Sequence, residues 1–277
     1  MRKSKYLVLN NFYFNFNDDL TEIKEIKVLF KKQNIIDLER FNKINKISNY
    51  IFENMYINFA FLPNEIFKIE NLSFLGSDLL YINFLNLLQL KKIDNMSIGS
   101  NKLNILDLSN CSLLEEILFA AFSNNQIKKL KLPKNIKYIG EKAFSNNQIK
   151  ILDISNCLYL KKIESGVFLE NKIQYLKLNK TIEIIEEEVF KSNNIEYLDL
   201  SSYKYLNKIN NLAFSRNPLQ EIKILDNINV GTSYSPSFEI DKWNSFTKYY
   251  NDNNKKAGDY KLENNDWQRY PLKKNKV

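Results

Sequence analysis

The chain has 277 residues, 44% of them hydrophobic and 13% aromatic, and its 40 Lys and Arg outweigh 32 Asp and Glu for a formal charge of +8. It has no histidine, which excludes His-based triads, imidazole zinc sites and proton switches near neutrality. Six glycines form neither GxGxxG nor GxxxxGK[ST], so no phosphate-cradling loop is expected, and no apolar run approaches the ~18 residues of a membrane span. A basic chain can seek nucleic acid or an anionic membrane. Here the lysines are interleaved with acids along a chain rich in Lys, Asn and Ile throughout, which points away from a nucleic-acid partner.

In chain order, Met1–Lys5 resembles a signal-peptide n-region, but the apolar stretch Tyr6–Leu9 ends at Asn10-Asn11, too short for an h-region. As written, the chain carries no classical export signal and is expected in the cytoplasm on that ground alone. From Leu9 onward one pattern recurs. AFSNNQIK occupies 121–128 and again 143–150, and an aliphatic-Phe pair returns at Phe122, Phe144, Phe168, Phe190 and Phe214, at steps of 22, 24, 22 and 24. Units of the form I-x-x-L-x-[LI] start at Leu9, Gln33, Ile57, Leu79, Leu103, Ile127, Ile149, Ile173, Ile195 and Leu219, ten in all.

Each L-x-L is a short strand whose alternate side chains point inward. One such strand cannot bury its apolar face alone, so the units must stack and share a continuous core. The sharp turns this requires fall to asparagine pairs, Asn124-Asn125, Asn146-Asn147 and Asn193-Asn194, because Asn tolerates the left-handed conformation.

The signature L-x-x-L-x-L-x-x-[NC] is that of a leucine-rich repeat, and LPKNIKYIGEKAF (Leu132–Phe144) resembles the BspA-like class, also called Treponema-type or family-5. The tail FTKYYNDNNKKAGDYKLENNDW (Phe246–Trp267) is similar to endings of some bacterial members. The resemblance implies a solenoid, often secreted or cell-surface, that binds host or matrix proteins, uses no cofactor or metal and catalyses nothing. The signal peptide usual in surface members is missing here, so localisation stays open between an adhesin relative and an intracellular scaffold of the same fold. The expected fold is a mainly-β leucine-rich-repeat solenoid over residues 1–225, with a parallel sheet on one face and short turns or 3-10 segments on the other. A small α+β C-terminal cap is expected over 226–277.

The outward residues of the strands should line up in two columns. One reads Tyr13, Asp37, Phe61, Asn83, Asp107, Lys131, Asp153, Lys177, Asp199, Lys223. Its last six alternate in sign, so neighbours about 4.8 Å apart would neutralise each other. The column one step earlier reads Asn11, Ile35, Phe59, Tyr81, Ile105, Lys129, Ile151, Tyr175, Tyr197, Glu221. Contiguous exposed aromatic surface marks a partner site, while strand propensity alone would also favour these residue types, and both readings stay open. The candidate contact residues are Phe59, Phe61, Tyr81, Ile105, Tyr175 and Tyr197, and the partner they suggest is a protein.

Cys111 and Cys157 occupy one buried slot two coils apart, roughly 9–10 Å by strand spacing and beyond the ~7 Å Cα limit of a disulfide. Glu186-Glu187-Glu188 reads as a solvated connector rather than a carboxylate site. After GTSYSPS (231–237), Trp243, Phe246, Tyr249 and Tyr250 fall on one face of a helix over Asp241–Asn251. Tyr260, Leu262 and Trp267 flank an Asn264-Asn265 hairpin turn, and Lys273–Lys276 is read as a frayed tail. At the other end only Met1–Val8 is available to shield the Leu9 unit, an edge open to dimerisation of an otherwise monomeric chain.

Overall fold

The computed structural model describes residues 6–9, 12–28, 35–210, 212–231 and 241–272. The expected turn over 231–237, apart from Gly231, and the basic tail lie outside them, as do Asn11, Gln33 and the segment before Tyr6. The chain opens with β1 (Tyr6–Leu9), β2 (Phe12–Phe16) and β3 (Ile23–Val28). Coils follow, each with two strands: β4 (Ile35–Asp37) and β5 (Lys46–Ile47), β6 (Phe59–Phe61) and β7 (Lys68–Ile69), β8 (Tyr81–Ile82) and β9 (Lys92–Ile93). Next come β10 (Ile105–Asp107) and β11 (Glu116–Ile117), β12 (Lys129–Lys131) and β13 (Tyr138–Ile139), β14 (Ile151–Asp153) and β15 (Lys162–Ile163). The array closes with β16 (Tyr175–Lys177) and β17 (Ile184–Ile185), β18 (Tyr197–Asp199) and β19 (Lys208–Ile209), β20 (Glu221–Ile224) and β21 (Asn229–Val230). Helix α1 (Lys242–Asp252) and the hairpin β22 (Gly258–Glu263) and β23 (Asp266–Tyr270) complete the chain.

From β4 to β21 the even-numbered strands form one parallel face of the solenoid and the odd-numbered strands another. The second face therefore holds a ladder of two-residue strands as well as turns. Most of its lysines are matched by acids: Lys68 reaches Asp94 at 2.8 Å and Lys162 reaches Glu186 at 2.8 Å. Gly140 on that face is obligatory, since a Cβ there would sit 2.7 Å from the Leu118 carbonyl carbon.

Two ladders run through the interior. The Phe slot stacks ring on ring: Phe122 to Phe144 at 5.5 Å, Phe144 to Phe168 at 5.8 Å, and Phe168 to Phe190 at 5.8 Å, within 8° of parallel. Where the slot holds Ile98, Phe84 reaches in from the neighbouring 3-10 segment (Phe84–Asn86) and meets Phe122 at 6.0 Å. Each such pair contributes about 0.5–1.5 kcal/mol beyond the area it buries.

The second ladder revises the role expected for asparagine. Asn124 and Asn146 do take left-handed φ of 55° and 54°, but the next residues, Asn125 and Asn147, are buried. Asn125 Oδ1 accepts from Leu103 N at 3.1 Å and Asn147 Oδ1 from Ile127 N at 3.0 Å. Their Nδ2 groups donate to the carbonyls of Ile98 and Phe122, respectively, each at 3.0 Å. Asn101, Asn171, Asn193 and Asn217 repeat the arrangement. At 193 the left-handed residue is Ser192, so the pair Asn193-Asn194 is shifted by one relative to the expectation. From Asn101 to Asn217 one carboxamide per coil thus satisfies backbone groups that the turn would otherwise leave buried and unpaired.

The Leu9 unit is a correction. It does not form a coil: β1, β2 and β3 are an antiparallel meander. The cause is local. Asn17 N donates to Glu22 O at 3.0 Å, Asn17 Oδ1 accepts from Glu22 N at 3.0 Å, and Leu20 takes φ 64°, which turns the chain straight back. Alternating apolar residues suit either strand direction, and the turn decides. The buried Phe14, Phe16, Ile23 and Ile26 join the common core, Phe16 meets Phe41 at 5.9 Å, and Asn45 N donates to Thr21 O at 3.3 Å. The N-terminal end of the core is therefore covered rather than bare.

The far end is closed by the cap. Asp241 Oδ1 accepts from Trp243 N and Asn244 N to start α1, and β22 adds antiparallel to β20. Asn264 and Asn265, at φ 50° and 69°, make the hairpin turn into β23. Trp243, Phe246, Tyr250, Tyr260 and Trp267 bury their rings over the last coil.

Candidate partner-binding face

The even-numbered strands are three residues long in most coils, with the middle residue buried and the outer two turned to solvent. Register then sets the neighbours. Ile35, Phe59 and Tyr81 lie side by side, as do Ile105 and Lys129, Ile151 and Tyr175, and Tyr197 and Glu221. Phe59, Tyr81, Ile105, Tyr175 and Tyr197 are all exposed, Tyr197 at 67%. Phe61 is half-buried, its ring 5.7 Å from that of Tyr81. The six candidates therefore share one face.

The hydrogen-bonded sheet behind them comes in blocks: β4-β6-β8, β10-β12, β14-β16, and β18-β20-β22-β23. The step from a 24-residue unit to a 22-residue one is made by backbone, as Leu108 N donates to Lys131 O at 2.9 Å and Ile154 N to Lys177 O at 2.9 Å. At the step out of a 22-residue unit, side chains substitute. Leu62 N donates to Asn83 Oδ1 at 2.7 Å, and Leu178 N to the Tyr203 hydroxyl at 3.1 Å.

The charge column follows the same blocks. Lys131 Nζ lies 2.8 Å from Asp107 and Lys177 Nζ 3.5 Å from Asp153. Lys223, in register with Asp199, instead bridges Glu221 at 3.0 Å. Each aspartate also closes its own turn, accepting from the backbone N–H of Ser109, Ser155 or Ser201. That explains the alternation, since the longer units starting at Leu103, Ile149 and Ile195 carry D-x-S and need the carboxylate. Partial burial would raise the Asp107 and Asp153 carboxyls, but the bonds from these serines and lysines hold both below the ordinary range.

A row that the repeat pattern did not single out lies on the other side of the charge column. The two extra residues of the longer units push Leu85, Leu88, Leu113, Leu158, Tyr159 and Tyr205 into solvent, Tyr159 to 60%. Its sequence signal was there: apolar residues in a turn, at positions outside the core repeat.

Cys111 and Cys157 are free and buried, their thiols pushed up to about 12 and about 11 by burial. Glu188 binds its neighbour Lys191, and among the described residues no group of three His, Cys, Asp or Glu could hold a metal ion. Among the described residues no helix is long and apolar enough to cross a membrane.

The model of the BspA type leucine rich repeat region matches residues 8–104 and 115–242, in 6 copies. The chain belongs to the BspA-type leucine-rich-repeat family. Solved structures similar to this BspA-type protein include a leucine-rich repeat protein from Bacteroides ovatus, 14% identical over 81% of this chain and 67% of that one, TM-score 0.43. The pneumococcal vaccine antigen PcpA is 16% identical over 82% and 78% of the two chains, TM-score 0.35. A leucine rich cell surface protein from Faecalibacterium prausnitzii is 14% identical over 84% and 96%, TM-score 0.27. No curated protein matches.

Proposed function

We propose that this protein is a non-catalytic binding module whose partner is a protein, related in role to the surface adhesins of its family, and that contact centres on Phe59, Phe61, Tyr81, Ile105, Tyr175 and Tyr197. The observation that carries this reading is the contrast between adjacent columns. Rigid aromatic side chains stand exposed on a face with no core to join, beside a column whose charges are largely neutralised within the chain. Tyr offers large contact area at little entropic cost, which makes it a preferred anchor.

The test is a double substitution, Tyr175→Ser with Tyr197→Ser, titrated beside the wild type against a partner isolated by pull-down. The expected loss is about 2–4 kcal/mol of binding, the usual scale of interface hot spots, with the thermal unfolding curve unchanged because both side chains are exposed. Equal affinities would move the site off this face.

A further inference from the structure

Most lysines that project from the two sheet faces have a carboxylate within reach. Lys46, Lys68, Lys92, Lys131, Lys162, Lys177 and Lys223 all do. Three that cluster in the centre of the candidate face differ. Lys128, Lys129 and Lys150 are exposed, and no carboxylate lies within ion-pair distance of them among the described residues. Lys129 occupies the aromatic column itself, in register with Ile105, and β12 packs beside β14, which brings Ile151 to its other side. Lys128 precedes it in the chain, and Lys150 precedes Ile151, its carbonyl accepting from Gln174 N and Tyr175 N at 2.9 and 3.3 Å. The column thus reads aromatic, aliphatic, cation, aliphatic, aromatic through Tyr81, Ile105, Lys129, Ile151 and Tyr175.

With Lys131, Lys177 and Lys223 on strands of the same face neutralised internally, these three are left for something outside the chain. A carboxylate seated on Lys129 would be desolvated by the apolar residues on both sides, where an ion pair is screened less than at an open rim. The aromatic residues two coils away on each side lie about 10 Å from it by strand spacing.

We propose that the partner is an acidic protein segment, which places a carboxylate on Lys129, flanked by Lys128 and Lys150, and apolar or aromatic side chains over Ile105–Tyr81 and Ile151–Tyr175. This rests on the reading of the face as a protein-binding surface and adds the chemistry of what binds. A sulfated polysaccharide or nucleic acid would use the cations but leave the aromatic column idle.

The probes are a random glutamate–tyrosine copolymer, polyglutamate and heparin, titrated against the full chain at low and moderate salt. The expected order is copolymer tighter than polyglutamate, with Lys129→Glu weakening the copolymer about tenfold or more. Lys134→Glu, an exposed lysine on the turn after β12, leaves it unchanged. If Tyr175→Ser with Tyr197→Ser weakens the copolymer and Lys129→Glu does not, the acidic-segment inference falls while the protein-binding face stands. If neither change matters, or no probe binds, both fall. Heparin bound as tightly as the copolymer and equally sensitive to Lys129→Glu makes the cluster a general polyanion site and overturns the inference.

Discussion

The indole of Trp243 stands 4.9 Å from the ring of Phe214, so the first turn of the cap helix supplies the next ring of the ladder that the repeats have built. A solenoid exposes its core wherever stacking stops, and here a side chain from outside the repeat takes the vacant slot. Trp243 is fully buried, yet its Nε1 has no hydrogen-bond partner. The position asks for a flat ring and makes no use of the donor. Trp243→Phe is therefore expected to cost under about 1.5 kcal/mol and Trp243→Ala about 3–5 kcal/mol, read from urea midpoints. Truncation after Asp226, which also removes β22 from the edge of β20, should abolish cooperative unfolding or cause aggregation. A soluble monomer melting as before would make the tail a separate module.

Asn147 is the second point of leverage. Replacing it with Ala leaves the buried N–H of Ile127 without its partner and the carbonyl of Phe122 with only the 3.2 Å bond from Asn125, at about 1–3 kcal/mol. Asn146→Ala loses only the tolerance for a left-handed backbone, about 1–2 kcal/mol. Asn146→Gly should restore or raise stability where Asn147→Gly cannot. Equal responses at the two positions would mean that the buried carboxamide carries no load.

Reversing Lys177 to Asp puts two carboxylates in register with each other, since residue 177 pairs with Asp153. Because the pair is about half exposed, the expected loss is only about 1 kcal/mol, and it should shrink as salt rises. The companion change Lys223→Asp should instead leave Glu221 with only Lys261, at 3.8 Å. Unchanged urea midpoints for Lys177→Asp at low ionic strength would mean that the column is out of register.

Glu22 gives the N-terminal meander an acid-sensitive attachment. Burial would raise its carboxyl, but bonds from Lys24, Ser48 and Lys46 outweigh that and hold it at about 2, against an ordinary 4.5. A depressed folded-state pKa contributes stability that is present above pH 4.5 and is lost as pH falls toward 2. Hydrogen exchange in residues 12–28 should therefore rise through that window in the wild type and be raised already at neutral pH in Glu22→Gln. A flat profile in the wild type would place the attachment elsewhere.

The two thiols should be silent. Both are buried, Cys111 donating to the Phe84 carbonyl at 3.3 Å, and a water-soluble thiol reagent is expected to label neither until the chain unfolds. Mapping under non-reducing conditions should show no link between Cys111 and Cys157.

What could be read from sequence tracked what repeats. The core slots were legible because Phe122, Phe144, Phe168, Phe190 and Phe214 recur with every coil, and the α1 helix because its aromatic residues share one face. The asparagine ladder was hidden because the two asparagines of SNNQI look alike, and only burial separates the left-handed Asn146 from the bonded Asn147. The meander was hidden because Leu9–Val28 has the spacing of a repeat and the decisive feature, the Asn17–Glu22 turn, is an interaction within a loop. For the candidate face, the columns followed from register. The row from Leu85 to Tyr205 did not, because it arises from the two-residue difference between unit lengths, which an alignment on the core treats as a gap.

That difference governs how a chain of this kind can change its length. A longer unit presents a backbone edge that the following shorter unit completes, and the shorter unit hands on to the next through a side chain such as Asn83 or Tyr203. In the stretch from Leu103, where 24- and 22-residue units alternate, duplicating or deleting a single coil would set two like units against each other and place one D-x-S turn beside another. The structural brick of that stretch is the pair of unequal coils, so a change of length there is expected to be tolerated two coils at a time.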